Sequence, residues 1–336
     1  MNAIEIDVAA AQRGDEIAFR RLVDPYRREL RAHCYRMAGS LHDADDLLQE
    51  SLLRAWRGLP GFEGRSSLRT WLYKVTTTAS LDALEKRGAR VLPRELGDAA
   101  KPGAAMSMRT EPVWLEPCPD DFIDATESGP DARYGARESV RLAFLVALQV
   151  LPAKQRAVLI LRDVLGWEAS ECASLLDTSV ASVNSALQRA RETLAARGEE
   201  ARDTVAMPSD TIVSSLLGRY IRAWEDADVN ALVALLREDA TLSMPPFESW
   251  FRGRDAIAAS VGGMVLTPAA RGAFRFLATR ANGFPALAAY QRDEASGEYR
   301  ASAIHVLRVE GEHIAAIDAF IDPRLFARFE LPSVLV

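Results

Sequence analysis

The sequence has few cysteines and no long apolar run. Cys34, Cys118 and Cys172 are odd in number and far apart, which disfavours a disulfide framework and leaves no CxxC or CxxH spacing for a metal site. No apolar stretch approaches the roughly 18 residues that span a bilayer, and the N-terminal residues lack the order of a signal peptide. These absences predict a cytoplasmic protein that binds no metal and does not enter a membrane.

Acidic and basic residues are unevenly distributed along the chain. The net charge of −6 argues against a protein that binds DNA alone, because such proteins usually carry a basic surplus. Residues 43–50 contain four acids and no base, whereas residues 61–94 contain seven Lys or Arg and three acids. This distribution indicates two different contact surfaces, although ordinary solvated helix faces produce the same pattern.

Helical spacing dominates two parts of the sequence, 15–90 and 138–197. In the first, Asp43 is predicted to cap a helix, and a Gly- and Ser-rich loop at 60–67 separates that helix from the next. Five prolines between 95 and 137 interrupt the pattern and predict a linker. Its apolar Trp114 and Leu115 suit docking on a neighbouring domain, or make no contact at all.

The C-terminal part combines helices with alternating strands, which is typical of an α+β domain. Two helices are expected at about 211–226 and 229–236. Strands are expected near 240–245, 273–281, 285–292, 299–309 and 313–321. The predicted fold class is therefore multidomain, with two all-α domains and a C-terminal α+β domain. The predicted boundaries are 1–94, a linker at 95–137, 138–197 and 205–336.

Residues 167–196 have the spacing of a helix-turn-helix. Ala173 provides the small residue where two helices cross, and Val183 follows ten residues later as the buried anchor of the second helix. Asp177 occupies the turn position at which many such motifs have glycine. Aspartate tolerates left-handed backbone better than most residues, so the motif remains credible.

The second helix of this motif presents a polar face. A helical wheel places hydrogen-bonding and cationic side chains opposite the apolar stripe: Ser182, Asn184, Ser185, Gln188, Arg189 and Arg191. Such side chains suit base edges and phosphates in a DNA major groove. The alternative is a solvated face of a helical bundle.

Several segments together resemble the sigma-70 family of bacterial transcription initiation factors. Residues 43–50 (DADDLLQE) and 62–73 (FEGRSSLRTWLY) resemble sigma region 2, and 151–159 (LPAKQRAVL) resembles the start of region 4. The absence of a further domain between them is typical of the extracytoplasmic-function group. Residues 184–191 (NSALQRAR) and 114–117 (WLEP) resemble its SigG-type subgroup.

This resemblance implies contacts with core RNA polymerase. In the family, the acidic region 2 helix docks on the coiled-coil clamp helices of the β′ subunit, and region 4 adjoins the β flap. The matching positions in the acidic helix are Asp43, Asp45, Asp46, Gln49 and Glu50. A local cluster of negative charge suits a basic partner surface.

The resemblance also implies contacts with promoter DNA. The region 2 loop and helix would open the −10 element, and the helix-turn-helix would bind the −35 element. The matching −10 positions are Phe62, Arg65, Ser66, Ser67, Arg69, Trp71 and Lys74. An unpaired base stacked on an aromatic ring contributes roughly 1–3 kcal/mol, although Trp71 is equally consistent with a core residue. The polymerase performs the chemistry, so we expect no catalytic residue and no cofactor.

The C-terminal domain resembles the SnoaL-like, ketosteroid-isomerase-like cone. The resemblance rests on residues 220–225, 244–246, 250–253, 281–286 and 318–320. It implies a pocket for a small apolar ligand, lined by Trp224, Met244, Trp250, Tyr290 and Phe320. Asp239, His305 and Asp318 are the candidate catalytic groups, but a shared fold does not confer activity. We therefore expect a regulatory module rather than an enzyme.

Three functional hypotheses follow. In the leading one, the chain directs core polymerase to specific promoters and its C-terminal domain modulates that activity. In the second, the helix-turn-helix serves a self-sufficient DNA-binding regulator, which the acidic balance disfavours. In the third, the C-terminal domain is an enzyme and the sigma domains are vestigial.

Overall fold

The chain divides into two units, each built from two separate stretches of sequence. The computed structural model describes residues 3–86, 88–104, 106–109, 114–124, 142–196 and 209–335. One unit, here the helical unit, comprises Met1–Arg90 and Asp121–Asp203; the other, the mixed unit, comprises Val91–Asp120 and Thr204–Val336. The predicted linker is thus divided between the two units, and its residues 125–137 lie outside the described residues.

The helical unit contains only helices among its described regular elements. Its α-helices are α1 (Ala3–Gln12), α2 (Glu16–Val23), α3 (Arg27–Ala38), α4 (Leu41–Gly58), α5 (Leu68–Leu84), α6 (Asp121–Asp124), α7 (Leu142–Gln149), α8 (Ala153–Leu159), α9 (Ala169–Leu175) and α10 (Val180–Ala196). Short 3₁₀ turns lie at Asp24–Tyr26 and Leu59–Gly61, and a π-helical turn at Ile160–Val164 extends α8.

Serine side chains fix the starts of α4 and α5. The Ser40 hydroxyl accepts a 3.1 Å hydrogen bond from the Asp43 backbone N–H, and Ser67 caps α5 in the same way through Thr70. The prediction that Asp43 caps α4 is therefore wrong. Asp43 lies in the first turn, and its carboxylate accepts a hydrogen bond from the buried guanidinium of Arg90.

Helices α9 and α10 form the predicted helix-turn-helix. Ala173 on α9 and Val183 on α10 are both buried, as the ten-residue spacing predicts. Asp177 in the turn has a φ of 48°, which is the left-handed conformation expected at that position. The prediction from the sequence is confirmed here because the motif depends on local spacing and one backbone angle.

The mixed unit is an α+β domain, as predicted. Its helices are α11 (Asp210–Glu225), α12 (Val229–Ala234), α13 (Arg254–Met264) and α14 (Leu325–Arg328), and its strands are β1 (Leu236–Ser243), β2 (Trp250–Arg252), β3 (Phe274–Ala281), β4 (Phe284–Arg292), β5 (Tyr299–Glu310), β6 (His313–Phe320) and β7 (Val334–Leu335). Short 3₁₀ turns lie at Pro93–Glu95 and Pro268–Ala270. The sequence did not indicate α13 or β2.

One mixed sheet organises this unit. Its strand order is β2-β1-β6-β5-β4-β3, with β7 paired to β5. Strands β1 and β6 are parallel, and the other pairs are antiparallel. Buried residues of α11, α12 and α13 pack with those of the sheet in one apolar core, against which Ala100 and Met106 of residues 91–120 also lie.

Within the described ranges, no helix is both long and apolar enough to cross a bilayer. The three cysteines are buried free thiols, and burial raises the pKa of Cys34 to about 12 and that of Cys172 to about 11. Buried thiols with raised pKa values are poor nucleophiles, so the structure gives Cys34 and Cys172 a packing role.

Candidate functional site: polymerase, promoter and ligand surfaces

The acidic helix α4 exposes part of its predicted polymerase-binding set. Asp46, Gln49 and Glu50 are exposed and share one helix face, because they stand three and four residues apart. Asp45 is half-buried beside Arg31. Asp43 is only 5% exposed and pairs with Arg90, so its charge is neutralised inside the unit. This corrects the expectation that Asp43 docks on the polymerase.

Two aromatic rings frame the predicted −10 surface. Phe62 and Trp71 are half-buried, and their ring centroids lie 5.2 Å apart. The Gln12 side-chain amide donates a 2.9 Å hydrogen bond to the Phe62 carbonyl, which holds the start of the loop. Each ring keeps part of its surface in solvent, so both remain candidates for stacking on an unpaired base.

Some of the polar side chains predicted to contact the −10 element already form hydrogen bonds within the protein. Arg65 and Ser66 are exposed in the loop. The Ser67 hydroxyl is used as the N-cap of α5. The Arg69 guanidinium donates two hydrogen bonds of 3.0 and 2.7 Å to the Glu29 carboxylate, so a phosphate contact there competes with an existing ion pair.

The last predicted −10 residue, Lys74, contacts the helix-turn-helix. Its Nζ atom lies 2.7 Å from Oδ1 of Asp177 in the turn. Nearby, the Tyr73 and Trp167 rings pack with centroids 5.2 Å apart. In this packing one face of α5, which carries several of the predicted −10 residues, lies against α9.

A buried arginine joins the α7–α8 hairpin to the end of α3. Arg156 is 4% exposed and donates hydrogen bonds to the Met37 carbonyl and, at 2.8 Å, to Oε1 of Gln149. Burial lowers the pKa of Arg156 to about 10. Helix α3 ends at Gly39 with a φ of +72°, where an added Cβ would lie 3.0 Å from the Gln149 side-chain nitrogen.

The predicted −35 face of α10 is exposed along its whole length. Ser182, Asn184, Ser185, Gln188, Arg189 and Arg191 all face solvent. Gln188 donates a 2.9 Å hydrogen bond to Glu192, and Arg189 donates one of 2.8 Å to Ser185. Arg191 forms a bidentate pair with Asp163, which raises the pKa of Arg191. The hydrogen bonds of Ser185, Gln188 and Arg189 stay within α10, whereas Arg191 is paired with a residue before the helix-turn-helix.

A cavity of about 270 Å³ lies inside the mixed unit. Trp224 and Met244, two of the five predicted pocket residues, line it, while Trp250, Tyr290 and Phe320 do not. Alternation along the strands explains the difference, because successive side chains point to opposite faces of a sheet. The neighbours of Tyr290 and of Phe320 on each side line the cavity.

The candidate catalytic groups do not converge. His305 lines the cavity, but Asp318 faces the other side of the sheet, where it pairs with Arg94 at 3.2 Å and accepts a hydrogen bond from the Ser243 hydroxyl. Asp239 is exposed and pairs with Arg237. In the described residues, then, no carboxylate joins His305 at the cavity wall.

Residues 91–120 are attached to the mixed unit at several points. Near their start, the Trp250 indole donates a 2.8 Å hydrogen bond to the Gly97 carbonyl. In the middle, Ser107 and Arg109 each donate a 2.7 Å hydrogen bond to the Glu248 carboxylate, and the Ser107 bond is the larger cause of the lowered pKa of Glu248.

Further along this segment the contacts become buried. The Cys118 N–H donates a 3.0 Å hydrogen bond to the Asn282 side chain, and the Asp120 carboxylate pairs with Arg280 at 2.9 Å. Trp114 and Leu115 are 8% and 0% exposed. This burial contradicts the alternative that they make no contact, and both pair through their backbone with Val91.

The sequence did not predict the structural contacts of three arginines. Arg90 pairs with Asp43, Arg94 pairs with Asp318, and Arg156 donates to Met37 and Gln149. A signal existed for Arg156, because it stands three residues before Leu159 and so shares a helix face with a core residue. The partners of Arg90 and Arg94 are Asp43 and Asp318, which stand 47 and 224 residues away. No local sequence pattern indicates such pairs.

Three family models match the chain. The one described as Sigma-70 region 2 covers residues 22–90, that of Sigma-70, region 4 covers 141–194, and that of the SnoaL-like domain covers 217–317. Together with the two helical regions and the helix-turn-helix, they define a sigma-type transcription initiation factor.

Similar proteins narrow the class. The ECF RNA polymerase sigma factor SigG of Mycobacterium tuberculosis (strain ATCC 25618 / H37Rv) is 45% identical over 340 residues, which cover 99% of this chain and 90% of that relative. The chain therefore belongs to the extracytoplasmic-function RNA polymerase sigma factors, and it carries a C-terminal SnoaL-like domain.

A second relative shares the three-part arrangement. The ECF RNA polymerase sigma factor SigJ of the same organism is 27% identical over 71% of this chain and 70% of its own length. A crystal structure of Mycobacterium tuberculosis SigJ superimposes with a TM-score of 0.58 at 24% identity, covering 91% of this chain and 97% of that one. This similarity shows the fold.

Proposed function

We propose that the SnoaL-like domain restrains promoter-directed initiation by holding residues 91–120. The observation that carries the proposal is the series of contacts from Gly97 to Asp120 within the mixed unit. These residues are the first part of the connection between region 2, the proposed −10 reader, and region 4, the proposed −35 reader. Holding this connection therefore limits how far region 2 and region 4 can move apart.

The distance between promoter elements explains why this hold has consequences. Elements near −10 and −35 are about 25 base pairs apart, which is roughly 85 Å at 3.4 Å per base pair. In the helical unit Lys74 and Asp177 are 2.7 Å apart, so both readers reach their elements only after separating. Thirty released residues, 91–120, extend by up to about 100 Å.

The contact surfaces of the active factor follow from exposure. We infer that Asp46, Gln49 and Glu50, with Asp45 at their edge, meet the β′ clamp helices, and that region 4 meets the β flap. The −10 element would contact Phe62, Arg65, Ser66, Arg69, Trp71 and Lys74, with Ser67 shaping the loop. The −35 element would contact Ser182, Asn184, Ser185, Gln188 and Arg189, with Arg191 at the rim.

The SnoaL-like domain is proposed to be a regulatory, non-catalytic module with a small-ligand cavity. Supporting this, Asp318 is engaged by Arg94 and Ser243 on the sheet face opposite the cavity, away from His305. A factor that works with core polymerase acts where that enzyme is, which supports a cytoplasmic location.

A reversible disulfide tests the proposal. The Glu248 N–H donates a 3.0 Å hydrogen bond to the Ser107 carbonyl, and the adjacent Met108 and Phe247 form an antiparallel bridge. Ser107 and Glu248 therefore stand opposite each other, with their Cα atoms within range for a disulfide. The full-length Ser107→Cys/Glu248→Cys variant is oxidised and assayed with purified core polymerase by run-off transcription. We expect at least a tenfold reduction, reversed by dithiothreitol.

The Ser107→Cys and Glu248→Cys single variants, treated identically, are the matched controls, since between them they lose the hydrogen bonds of Ser107 and Arg109 to Glu248 without gaining a bond across the contact. Equal transcription from the oxidised and reduced double variant, with the disulfide confirmed by mass spectrometry, would refute restraint through the linker.

A further inference from the structure

The cavity of the SnoaL-like domain is large enough for a small molecule. It is partly open and measures about 270 Å³, which is just below the usual range of small-molecule pockets. Since roughly 10–15 Å³ of such volume suffices to hold one water, the cavity has room for a molecule of about ten or more non-hydrogen atoms.

The cavity wall is apolar apart from a few uncharged groups. Leucine, valine, isoleucine, alanine, methionine and aromatic side chains form most of it, with Gln291, Ser302 and His305 as its polar members. None of the lining side chains, as far as the chain is described, is an Asp, Glu, Lys or Arg. A charged occupant would lose its hydration without gaining a counter-ion, which is costly.

His305 is a buried polar side chain of this wall with an identified hydrogen-bond partner. It is 4% exposed, and its Nδ1 atom lies 2.9 Å from the Tyr220 hydroxyl oxygen. Burial lowers the pKa of His305 to about 4, so its ring is neutral at pH 7. A neutral imidazole donates from one nitrogen and accepts at the other.

The chemistry of the two groups decides which nitrogen donates. A phenol hydroxyl is a stronger hydrogen-bond donor than an imidazole N–H, and an imidazole nitrogen is a stronger acceptor than a phenol oxygen. The favoured pairing at 2.9 Å therefore has the Tyr220 hydroxyl donating to Nδ1 of His305, which leaves the imidazole proton on Nε2.

We propose that the cavity binds an uncharged, mainly apolar molecule of about ten non-hydrogen atoms that carries one oxygen acceptor, and that His305 Nε2–H donates to this acceptor. The inference rests on the regulatory role proposed for the domain and names its ligand class. The Tyr220 hydroxyl is the positioning group, because it fixes the tautomer and the orientation of His305.

Matched probes test this ligand class on the full-length chain. 1-Indanone has about the proposed size and one carbonyl oxygen, indane lacks the oxygen, and indane-1-carboxylate adds a charge. Binding is measured by ligand-observed NMR and calorimetry. We expect 1-indanone to bind about tenfold more tightly than indane, which corresponds to about 1.4 kcal/mol and to one hydrogen bond, and the carboxylate to bind more weakly than either.

Variants assign that difference to His305. His305→Phe keeps a ring but removes the donor, and we expect it to equalise the affinities for 1-indanone and indane. His305→Gln, which retains an N–H donor, should restore part of the preference. Ala289→Leu fills the cavity from another strand and should abolish binding of both probes, whereas Tyr290→Phe, on the opposite sheet face, should leave both affinities unchanged.

Two outcomes would overturn the proposal: no binding of 1-indanone to folded wild-type protein, or a preference for 1-indanone that His305→Phe leaves intact. Because this assay contains no polymerase, its failure is independent of the disulfide test of the linker. Binding without any effect of the oxidised linker would retain the ligand site and remove the proposed restraint.

Discussion

The Nζ atom of Lys74 lies 2.7 Å from the Oδ1 atom of Asp177, and this pair joins the proposed −10 reader to the turn of the proposed −35 reader. Both side chains are substantially exposed, 40% for Lys74 and 79% for Asp177. Exposed pairs contribute about 0–1 kcal/mol. The pair is therefore weak enough to exchange for a phosphate contact.

Lys74 has two roles, an ion pair with Asp177 and the proposed phosphate contact. Replacing Asp177 or Lys74 distinguishes them. Asp177→Asn should change stability by less than about 1 kcal/mol and leave run-off transcription equal to or above wild type, because Lys74 is released. Lys74→Ala should reduce transcription severalfold. Asp82→Asn, which breaks the exposed pair with Arg54 inside region 2, is the control. Equal losses from Asp177→Asn and Lys74→Ala would indicate that the pair persists in the active complex.

Arg156 should dominate the stability of the region 2–region 4 packing. Arg156→Met removes donors from the Met37 carbonyl and from Gln149 and leaves buried acceptors unpaired, at about 1–3 kcal/mol each. We expect a loss of at least about 3 kcal/mol in unfolding free energy and a clear decrease in Tm. Lys154→Met, an exposed position on the same helix, should change Tm little. Similar effects at both positions would contradict the assignment.

Gly39 and Gly64 offer a comparison of two glycines with similar backbone angles, +72° and +70°. An alanine at either position incurs roughly 1–2 kcal/mol for left-handed backbone. At Gly39 the new Cβ also meets Gln149 at 3.0 Å and the Arg90 Cβ at 3.3 Å, whereas at Gly64 nothing lies within 4 Å. Thermal unfolding should therefore show a larger loss for Gly39→Ala. Equal losses would mean that α7 does not press on the end of α3.

Gln188 should contribute to the choice of −35 sequence. It is exposed at the centre of the polar face of α10, and a bidentate amide contact discriminates between base pairs by about 1–3 kcal/mol. Gln188→Ala should therefore flatten preference at one −35 position in a randomised promoter library. Glu192→Gln removes a negative charge beside it and should strengthen all sequences alike. An unchanged preference in Gln188→Ala would exclude this residue from base contact.

The depressed pKa of His305, about 4 against an ordinary 6.5, makes stability depend on pH. Below pH 6.5 the His305 imidazole takes up a proton in the unfolded chain, whereas in the folded chain it stays neutral until the pH approaches 4. Stability is therefore full above pH 6.5 and decreases as pH falls to about 4, by on the order of 3 kcal/mol.

Unfolding free energies of wild type and His305→Gln at several pH values test this linkage. The advantage of wild type should shrink as pH falls from 6.5 to 4. His33, whose pKa burial lowers to about 3, adds a similar dependence to both proteins and cancels in the difference. A pH-independent difference would show that His305 is not held neutral by burial.

Local pattern accounts for what the sequence predicted well. The helix-turn-helix depends on a ten-residue spacing and on Asp177, and the order of strands after α12 depends on alternation, so both can be read from short windows. The exposed −35 face follows from the same helical wheel. These features need no knowledge of distant residues.

Long-range pairing accounts for what the sequence did not predict. Asp43 matches a polymerase-docking position of the family, but it is buried and paired with Arg90, which stands 47 residues away. The cavity wall depended on which face of β4 and β6 points toward α11 and α13, and a shift of one residue exchanges Tyr290 for its neighbours. Residues 91–120 contain too many prolines for a regular element, so their attachment to a distant sheet leaves no periodic signal.

That attachment also dictates an order of events at the ribosome. Cys118 and Asp120 bond to Asn282 and Arg280, which stand 164 and 160 residues downstream, so their partners emerge long after the sigma helices have been made. At about 5–20 residues per second, synthesis takes some ten to thirty seconds to proceed from Cys118 and Asp120 to these partners. Under the proposed restraint, a nascent chain would be a sigma factor with an unattached connection until Arg280 in β3 and Asn282 just after it have been synthesised.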